Sequence, residues 1–235
     1  MNSMLRILAS AVLAGAMLLS SAGATSAVTR AACFRILHAS PDAPNLDVYV
    51  NRTPVARNIA YTQFSARRWC IAATIVLARA FPTGADPNTA APLVSSNITM
   101  AFDRSYVIAI ANRLQQLQVV ALENPTVPPA GQFSLRVAHL AVDVGGVDLA
   151  VTGGAVWLFN VVFPTAQTTT QPAGTYALEL RQAGTPTVLV PLGTLTFRSR
   201  ERKTIYVLAP SAAAAIDAAA RGTTAPLVTF VETDR

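Results

Sequence analysis

The stretch HASPDAPNLDVYVN, residues 38–51, is followed about a hundred residues later by a degenerate copy, HLAVDVGGVDLAVT, residues 139–152. The two align without a gap, and three polar positions coincide: His38 with His139, Asp42 with Asp143, and Asp47 with Asp148. An internal repeat of this length predicts two related domains. We place them at residues 31–124 and 132–235, joined by a semi-rigid, Pro-rich linker at residues 125–131.

Short runs rich in Val, Leu, Ile, Tyr and Thr fill both halves, and many alternate between apolar and polar residues. Gly, Pro, Asn and Asp separate these runs, as they do between strands. The pattern predicts an all-β protein made of two tandem antiparallel, Ig-like β-sandwiches of about seven strands each. One segment differs: SAAAAIDAAARG begins with a possible N-cap, Ser211, and ends at Gly222, which predicts a short Ala-rich helix in the second domain.

Three features together resemble one known family. These are the motif HASPDAP-x-x-DVYV, the following NIAY at residues 58–61, and PAGTYALELRQAGT at residues 172–185. They resemble the DUF4397 family of exported bacterial and archaeal proteins, whose β-sandwich domain often occurs in tandem and has no established biochemical role. The resemblance implies two such domains here. The second copy departs from it at HLAVDVGGVD, and the first has SARRWCIAAT where PAGTY would stand.

The N-terminal residues have the pattern of a secretory signal peptide. Arg6 precedes an apolar run, and small residues follow with Ala22 and Ala24 in A-x-A spacing. We therefore predict a signal peptide at residues 1–27 and an exported protein, either periplasmic or extracellular. An uncleaved membrane anchor is the alternative for this segment. No later apolar run approaches the length of about 18 residues that a spanning helix needs, so we expect no transmembrane segment in the mature chain.

The chain has two cysteines, Cys33 and Cys70. An even number of cysteines in an exported protein predicts a disulfide, because the compartment is oxidising. The alternative is that both are small buried apolar residues, since each lies in an apolar stretch.

The net charge of the chain is +6, which permits binding to anionic polymers without requiring it. In the segment RSRERK, Arg198, Arg200 and Arg202 alternate and would share one side of an extended hairpin. Such a comb could bind phosphate or sulfate groups of an envelope polymer, although a solvated turn is the alternative. Aromatic residues are not interleaved with these arginines, so we do not expect nucleic-acid binding.

The corner motif itself has two interpretations. Pro41 and Pro44 restrict the backbone, and Asp42 between them could accept a local N–H in an Asx-turn. On this reading His38 bonds across the corner, and Asp47 lies at a strand edge with loop amides around it. The alternative makes the histidine and both aspartates, with their copies in the second half, a cation site for a metal-dependent hydrolase.

No G-x-S-x-G, H-E-x-x-H, P-loop or Rossmann motif occurs in the sequence. We therefore expect no enzyme, no cofactor and no bound metal. The sequence predicts an exported binding or structural module of the cell envelope or extracellular space, whose partner is an anionic envelope polymer or a cell-surface glycan. The candidate contact residues are the two histidines, the four aspartates and the three arginines named above.

Overall fold

The computed structural model describes residues 30–234, so the predicted signal peptide at residues 1–27 lies outside the described part of the chain. Nothing in the described part forms a helix with the length and apolar character needed to cross a membrane. Its regular structure is almost entirely β, with one short helix and one 3-10 turn at Leu114–Gln116.

The first half forms a β-sandwich of two four-stranded sheets, ordered β4-β1-β7-β8 and β3-β2-β5-β6. Its strands are β1 Ala32–Ala39, β2 Leu46–Val50, β3 Thr53–Ile59, β4 Trp69–Ile71, β5 Ile75–Pro82, β6 Val94–Thr99, β7 Ser105–Ala111 and β8 Gln118–Glu123. Side chains from the facing sides of the two sheets, such as Phe34, Val48 and Ile108, form the core of this sandwich.

The second half repeats this arrangement strand for strand, with sheets ordered β12-β9-β15-β16 and β11-β10-β13-β14. Its strands are β9 Gln132–Leu140, β10 Val147–Val151, β11 Val156–Val161, β12 Ala166–Pro172, β13 Gly174–Gln182, β14 Val188–Phe197, β15 Arg202–Leu208 and β16 Val228–Thr233. The predicted helix is α1, Ala212–Ala220, and the Ser211 hydroxyl accepts the Ala214 N–H as an N-cap. The all-β fold with two sandwiches and one short helix is confirmed.

The strand pairing differs from the expectation in one respect. Strands β1 and β7 pair in parallel from Cys33↔Ser105 onward, and β9 and β15 do the same from Ser134↔Arg202 onward. The prediction of purely antiparallel sandwiches is therefore wrong at these two central pairs. Each sandwich also has eight strands rather than about seven.

The two sandwiches pack against each other through the sheets that contain these parallel pairs. Leu37 and Ala109 of the first sandwich meet Leu140 and Tyr206 of the second in a third apolar core. Strands β1, β7, β9 and β15 are consequently buried on both faces, which is typical of parallel strands. The molecule is thus a stack of four sheets, and its two halves form one continuous body.

Candidate functional site

The predicted disulfide between Cys33 and Cys70 is confirmed. The two residues lie directly opposite each other on β1 and β4. Strand β4 is a three-residue edge strand, so the covalent bond fixes it to the sheet at a point where few backbone hydrogen bonds do so.

His38 bridges the first corner as a neutral side chain. Its Nε2 lies 3.0 Å from the Pro44 carbonyl oxygen, and its Nδ1 lies 3.3 Å from the Ser40 backbone N–H. Since the carbonyl can only accept and the N–H can only donate, the ring carries its proton on Nε2. Burial lowers the pKa of His38, while the bond to Pro44 partly opposes this shift. The imidazole therefore has no lone pair free to bind a metal.

His139 repeats this contact in the second corner, where its Nε2 lies 3.0 Å from the Gly145 carbonyl oxygen. Burial again lowers its pKa. Its Nδ1 is buried and has no hydrogen-bond partner within residues 30–234. The histidines of both copies therefore hold a corner by bonding a carbonyl six residues on.

Asp47 and Asp148 bind loop amides in the same way in the two halves. Asp47 accepts the N–H of Asn58 at 2.8 Å and of Gly84 at 3.2 Å. Asp148 accepts the equivalent N–H groups, of Asn160 at 2.6 Å and Gly184 at 2.9 Å. Each aspartate thus joins its strand to a positive-φ asparagine of the neighbouring strand and to a glycine turn, through backbone N–H groups of both.

The electrostatics of Asp47 follow from these bonds. Burial would by itself raise the pKa of Asp47, but the two backbone donors and the Arg57 guanidinium, 3.0 Å away, outweigh it and lower the pKa. The carboxylate is therefore ionised at neutral pH and stabilises the fold in that form.

Asp42 does not form the expected Asx-turn. The residue two positions on is Pro44, which has no N–H to donate. The Asp42 carboxylate instead accepts the Leu114 N–H at 2.8 Å and lies 3.3 Å from the Ser40 hydroxyl. It ties the corner to the 3-10 turn before β8, a contact across 72 positions of the chain.

The corners of the two sandwiches meet at Arg113. Its guanidinium lies 2.8 Å from Asp143 and 3.9 Å from Asp42, so one arginine lies beside the same aspartate of both copies. The positive charge that a metal ion would supply is thus supplied by the protein itself. No group of three or more His, Cys, Asp or Glu that could hold a metal occurs in residues 30–234. This geometry gives the hydrolase hypothesis no support.

The predicted arginine comb does not form. Strand β14 ends at Phe197 and β15 begins at Arg202, so residues 198–201 make a turn in which Arg200 has a φ of 65°. Arg198 and Arg200 are exposed, but the Arg202 guanidinium is occupied by the backbone carbonyls of Pro125, at 3.1 Å, and Asp234, at 3.2 Å. The comb fails because the strands stop before the alternation can place three side chains on one face.

A polar cleft of about 550 Å³ lies where the two sandwiches meet, and no pattern in the sequence predicts it. Both sandwiches contribute to its lining, which includes Arg35, Arg68, Asn124, Tyr206, Glu232 and Asp234. A second hollow of about 490 Å³ shares Arg68 and Asn124 with it and extends toward Arg104 and Arg202. The cleft could not be found from sequence because neither half contains it alone.

A buried cluster around Arg136 forms the floor of the cleft. Its guanidinium donates to the Thr204 hydroxyl at 2.9 Å and the Asn124 side-chain oxygen at 3.0 Å, and it lies 3.6 Å from Asp234. It also reaches the Glu123 backbone carbonyl of the first sandwich. Burial raises the pKa of Asp234, while Arg136 and the Thr204 hydroxyl oppose this shift. The cluster holds the linker side of the first sandwich to β15 and the C-terminal residues.

One wall of the cleft is an ion pair between Arg35 of β1 and Glu232 of β16. Arg35 also lies 4.4 Å above the ring of Phe64, which makes an edge-on contact with Tyr206 at 5.4 Å. The wall is therefore fixed by charge and by ring packing across the junction.

The family model described as "Domain of unknown function (DUF4397)" matches residues 32–150. The chain belongs to the DUF4397 family. The matched segment covers the first sandwich, the linker, β9 and nearly all of β10, and so includes both corner motifs. No curated protein matches this chain.

Among solved structures, the Bacillus anthracis TIE protein is 8% identical with a TM-score of 0.25, over 73% of this chain and 32% of that one. CBMbc, a family CBM26 module from Eubacterium rectale Amy13K crystallised with maltoheptaose, is 11% identical with a TM-score of 0.25, over 86% of this chain and 97% of that one. At these values neither likeness bears on the function of this DUF4397 protein.

Proposed function

We propose that this DUF4397 protein is an exported, non-catalytic binding module of the cell envelope, and that its partner is an anionic envelope polymer or a cell-surface glycan. We further propose that residues 31–124 and 132–235 are two copies of the family's domain. The identical strand order supports this, as do the histidine and aspartate bonds that recur in both halves.

The observation that carries the binding proposal is the polar cleft between the sandwiches. Ligand sites are found preferentially where domains meet, because such junctions form concave surfaces with groups from both sides. Here the walls belong to strands that are buried on both faces, and the floor is the Arg136 cluster. A cleft with fixed walls binds without first ordering its own side chains, which lowers the entropic cost of association.

The absence of catalysis is proposed on the state of the corner residues. A general base or nucleophile needs a free lone pair or an activated proton near substrate. The Nε2 atoms of His38 and His139 hold a proton against a carbonyl, and the carboxylates of Asp47 and Asp148 are bonded by backbone N–H groups. The Nδ1 atom of His139 has no partner among residues 30–234, but it is buried and out of reach of a substrate. These residues serve the fold and leave no acid–base pair at the corners.

Export is proposed on the signal-like N-terminus together with the Cys33–Cys70 disulfide. Structural disulfides persist in oxidising compartments and are rare where thioredoxin and glutathione keep thiols reduced. Fractionation of the producing cells, with intact-mass analysis of the recovered chain, tests both export and cleavage near residue 27.

The binding proposal is tested by co-sedimentation of residues 28–235 with envelope fractions of the producing organism. Thr233 is exposed and lies at the cleft beside Glu232, so Thr233→Trp would fill the site. Thr194→Trp places the same ring on an exposed position of β14, away from the cleft, and is the matched control.

We expect the wild type and the control to sediment with the envelope and Thr233→Trp to remain in solution. Equal sedimentation of all three would move the site away from the cleft. If nothing sediments with any fraction, the binding proposal fails. Hydrolysis of envelope material that requires an added divalent metal would favour the hydrolase alternative instead.

A further inference from the structure

The two ends of the sandwich stack differ in composition. At one end lie the starts of β1, β7, β9 and β15 and the ends of β8 and β16, as the register pairs Cys33↔Ser105, Tyr106↔Glu123, Arg202↔Ser134 and Lys203↔Thr233 show. We call this the basic end and define it as residues 30–35, 67–70, 103–106, 122–127, 131–134, 198–204 and 232–234.

Basic side chains outnumber acidic ones there by nine to five, a net charge of +4. The basic residues are Arg30, Arg35, Arg67, Arg68, Arg104, Arg198, Arg200, Arg202 and Lys203, and the acidic ones are Asp103, Glu123, Glu201, Glu232 and Asp234. The strand order gathers this charge from six separate segments, which is why no single stretch of sequence reveals it.

The opposite end holds the corners and the helix, and it is acidic. Residues 38–47, 57–63, 110–114, 139–148 and 208–222 contain five aspartates and three arginines, a net charge of −2. The charge of the molecule therefore differs between its two ends along the direction of the strands. A polyanion is attracted to the basic end and repelled from the corners before any contact forms.

Several cations of the basic end are already neutralised. The pairs are Arg30 with Asp103, Arg35 with Glu232, Arg104 with Glu123, and Lys203 with Glu201, while Asp234 faces Arg136 beneath them. Arg67, Arg198 and Arg200 are exposed and make no ion pair within residues 30–234. Arg67 directly precedes Arg68, which lines both hollows, while Arg198 and Arg200 lie in the turn before Arg202, which lines the second hollow.

Exposed guanidinium groups on both sandwiches at one end of the molecule fit a ligand that carries several anionic groups along its length. Each can bind a carboxylate through two parallel N–H donors. A single-stranded nucleic acid would need exposed rings to stack on, but Trp69 is half-buried and its indole N–H is bonded to the Val55 carbonyl. A lipid surface would need apolar side chains to insert, and Val127 is the large apolar residue that this end exposes.

We propose that the ligand is an acidic polysaccharide, and that it lies across the basic end and contacts Arg67 of one sandwich and Arg198 and Arg200 of the other. This inference rests on the proposed binding function and specifies its ligand class and its contact residues. The arginines act through charge and hydrogen bonding, so the affinity falls as ionic strength rises.

The test measures binding of residues 28–235 to polygalacturonate, to uncharged dextran, and to vesicles of phosphatidylglycerol and phosphatidylcholine. The variant is Arg198→Gln with Arg200→Asn, since asparagine tolerates the positive φ at that position. The matched control is Arg57→Gln with Arg221→Gln, which removes the same charge from exposed positions at the corner end.

We expect the wild type and the control to bind polygalacturonate alike, and the variant to bind it roughly three- to thirtyfold more weakly, as for the loss of two exposed charge contacts. Dextran should not bind. Equal weakening in variant and control overturns the proposal, as does equal binding to dextran or preferential binding to the anionic vesicles. None of these results decides whether the protein binds the envelope, because the co-sedimentation assay tests that proposal independently.

Discussion

Asp47→Asn tests the view that the corner aspartates stabilise the fold rather than bind a ligand. The asparagine keeps one oxygen, which can accept from Asn58 or from Gly84, and its amide group then faces the other N–H. One part-buried backbone donor is left unpaired, which costs about 1–3 kcal/mol. Loss of the ion pair with Arg57, whose side chain is exposed, adds at most about 1 kcal/mol to this cost.

The expected loss is therefore about 1–4 kcal/mol in the free energy of unfolding, measured by urea denaturation. For a chain of this size this corresponds to a melting temperature lower by roughly 2–16 °C. Asp103→Asn is the control, because Asp103 also has an arginine partner but is largely exposed, and asparagine tolerates its positive φ; it should change stability by less than about 0.5 kcal/mol.

The pH dependence of the same variant adds a second check. The pKa of Asp47 is lowered in the folded state, so its contribution is complete above the unfolded value, 3.8, and is lost as the pH falls through the lower folded value. Asp47→Asn should therefore unfold with a shallower acid dependence below about pH 4. A variant as stable as the wild type at pH 7 and at pH 3 would refute the structural role of this carboxylate.

Three further changes test other parts of the structure. Replacing Cys33 and Cys70 by Ala should lower the free energy of unfolding by about 4 kcal/mol in the chain-entropy estimate, and a loss below about 1 kcal/mol would contradict it. Burial lowers the pKa of His38, so the unfolded chain binds more protons than the folded chain below about pH 6.5, and the protein becomes less stable as the pH decreases. His38→Gln can still donate to Pro44 but does not titrate, so it should reduce this loss of stability between about pH 7.5 and 5.5. Asp234→Ala leaves Arg136 buried without its carboxylate and should cost about 3–5 kcal/mol in denaturant unfolding, whereas an unchanged midpoint would show that the pair adds nothing.

The sandwich architecture was accessible from sequence because its determinants are local. Alternating strands, separating turns and the repeated His–Asp pattern each lie within one short segment, and so does the capped Ala-rich helix at Ser211. The parallel pairing was not accessible, because β1 and β7 are far apart in the sequence and four of the strands between them belong to the other sheet. The alternation of apolar and polar residues indicates which face of a strand is buried, but not whether the neighbouring strand runs parallel or antiparallel to it.

The site residues divide in the same way. The expectation of loop amides around Asp47 holds for Gly84, but its other partner, Asn58, lies in β3. The partner of Asp42, Leu114, could not be assigned because it lies 72 positions away. Arg136 looks like an ordinary polar position of an alternating strand. It is buried because the other sandwich covers it, a fact that belongs to the packing of two halves and not to either half.

The packing of the two halves also explains why the corners and the basic end differ in role. At the corners, Arg113 lies beside the aspartates of both copies, and the acidic residues of that end outnumber the basic ones by five to three. At the basic end the acidic residues are fewer than the arginines, and Arg198 and Arg200 are exposed in the turn before Arg202. An end with surplus negative charge repels an external anion, whereas an end with surplus positive charge is stabilised further when it binds one. The same repeat therefore supplies a fixed joint at one end and, by our proposal, a binding surface at the other.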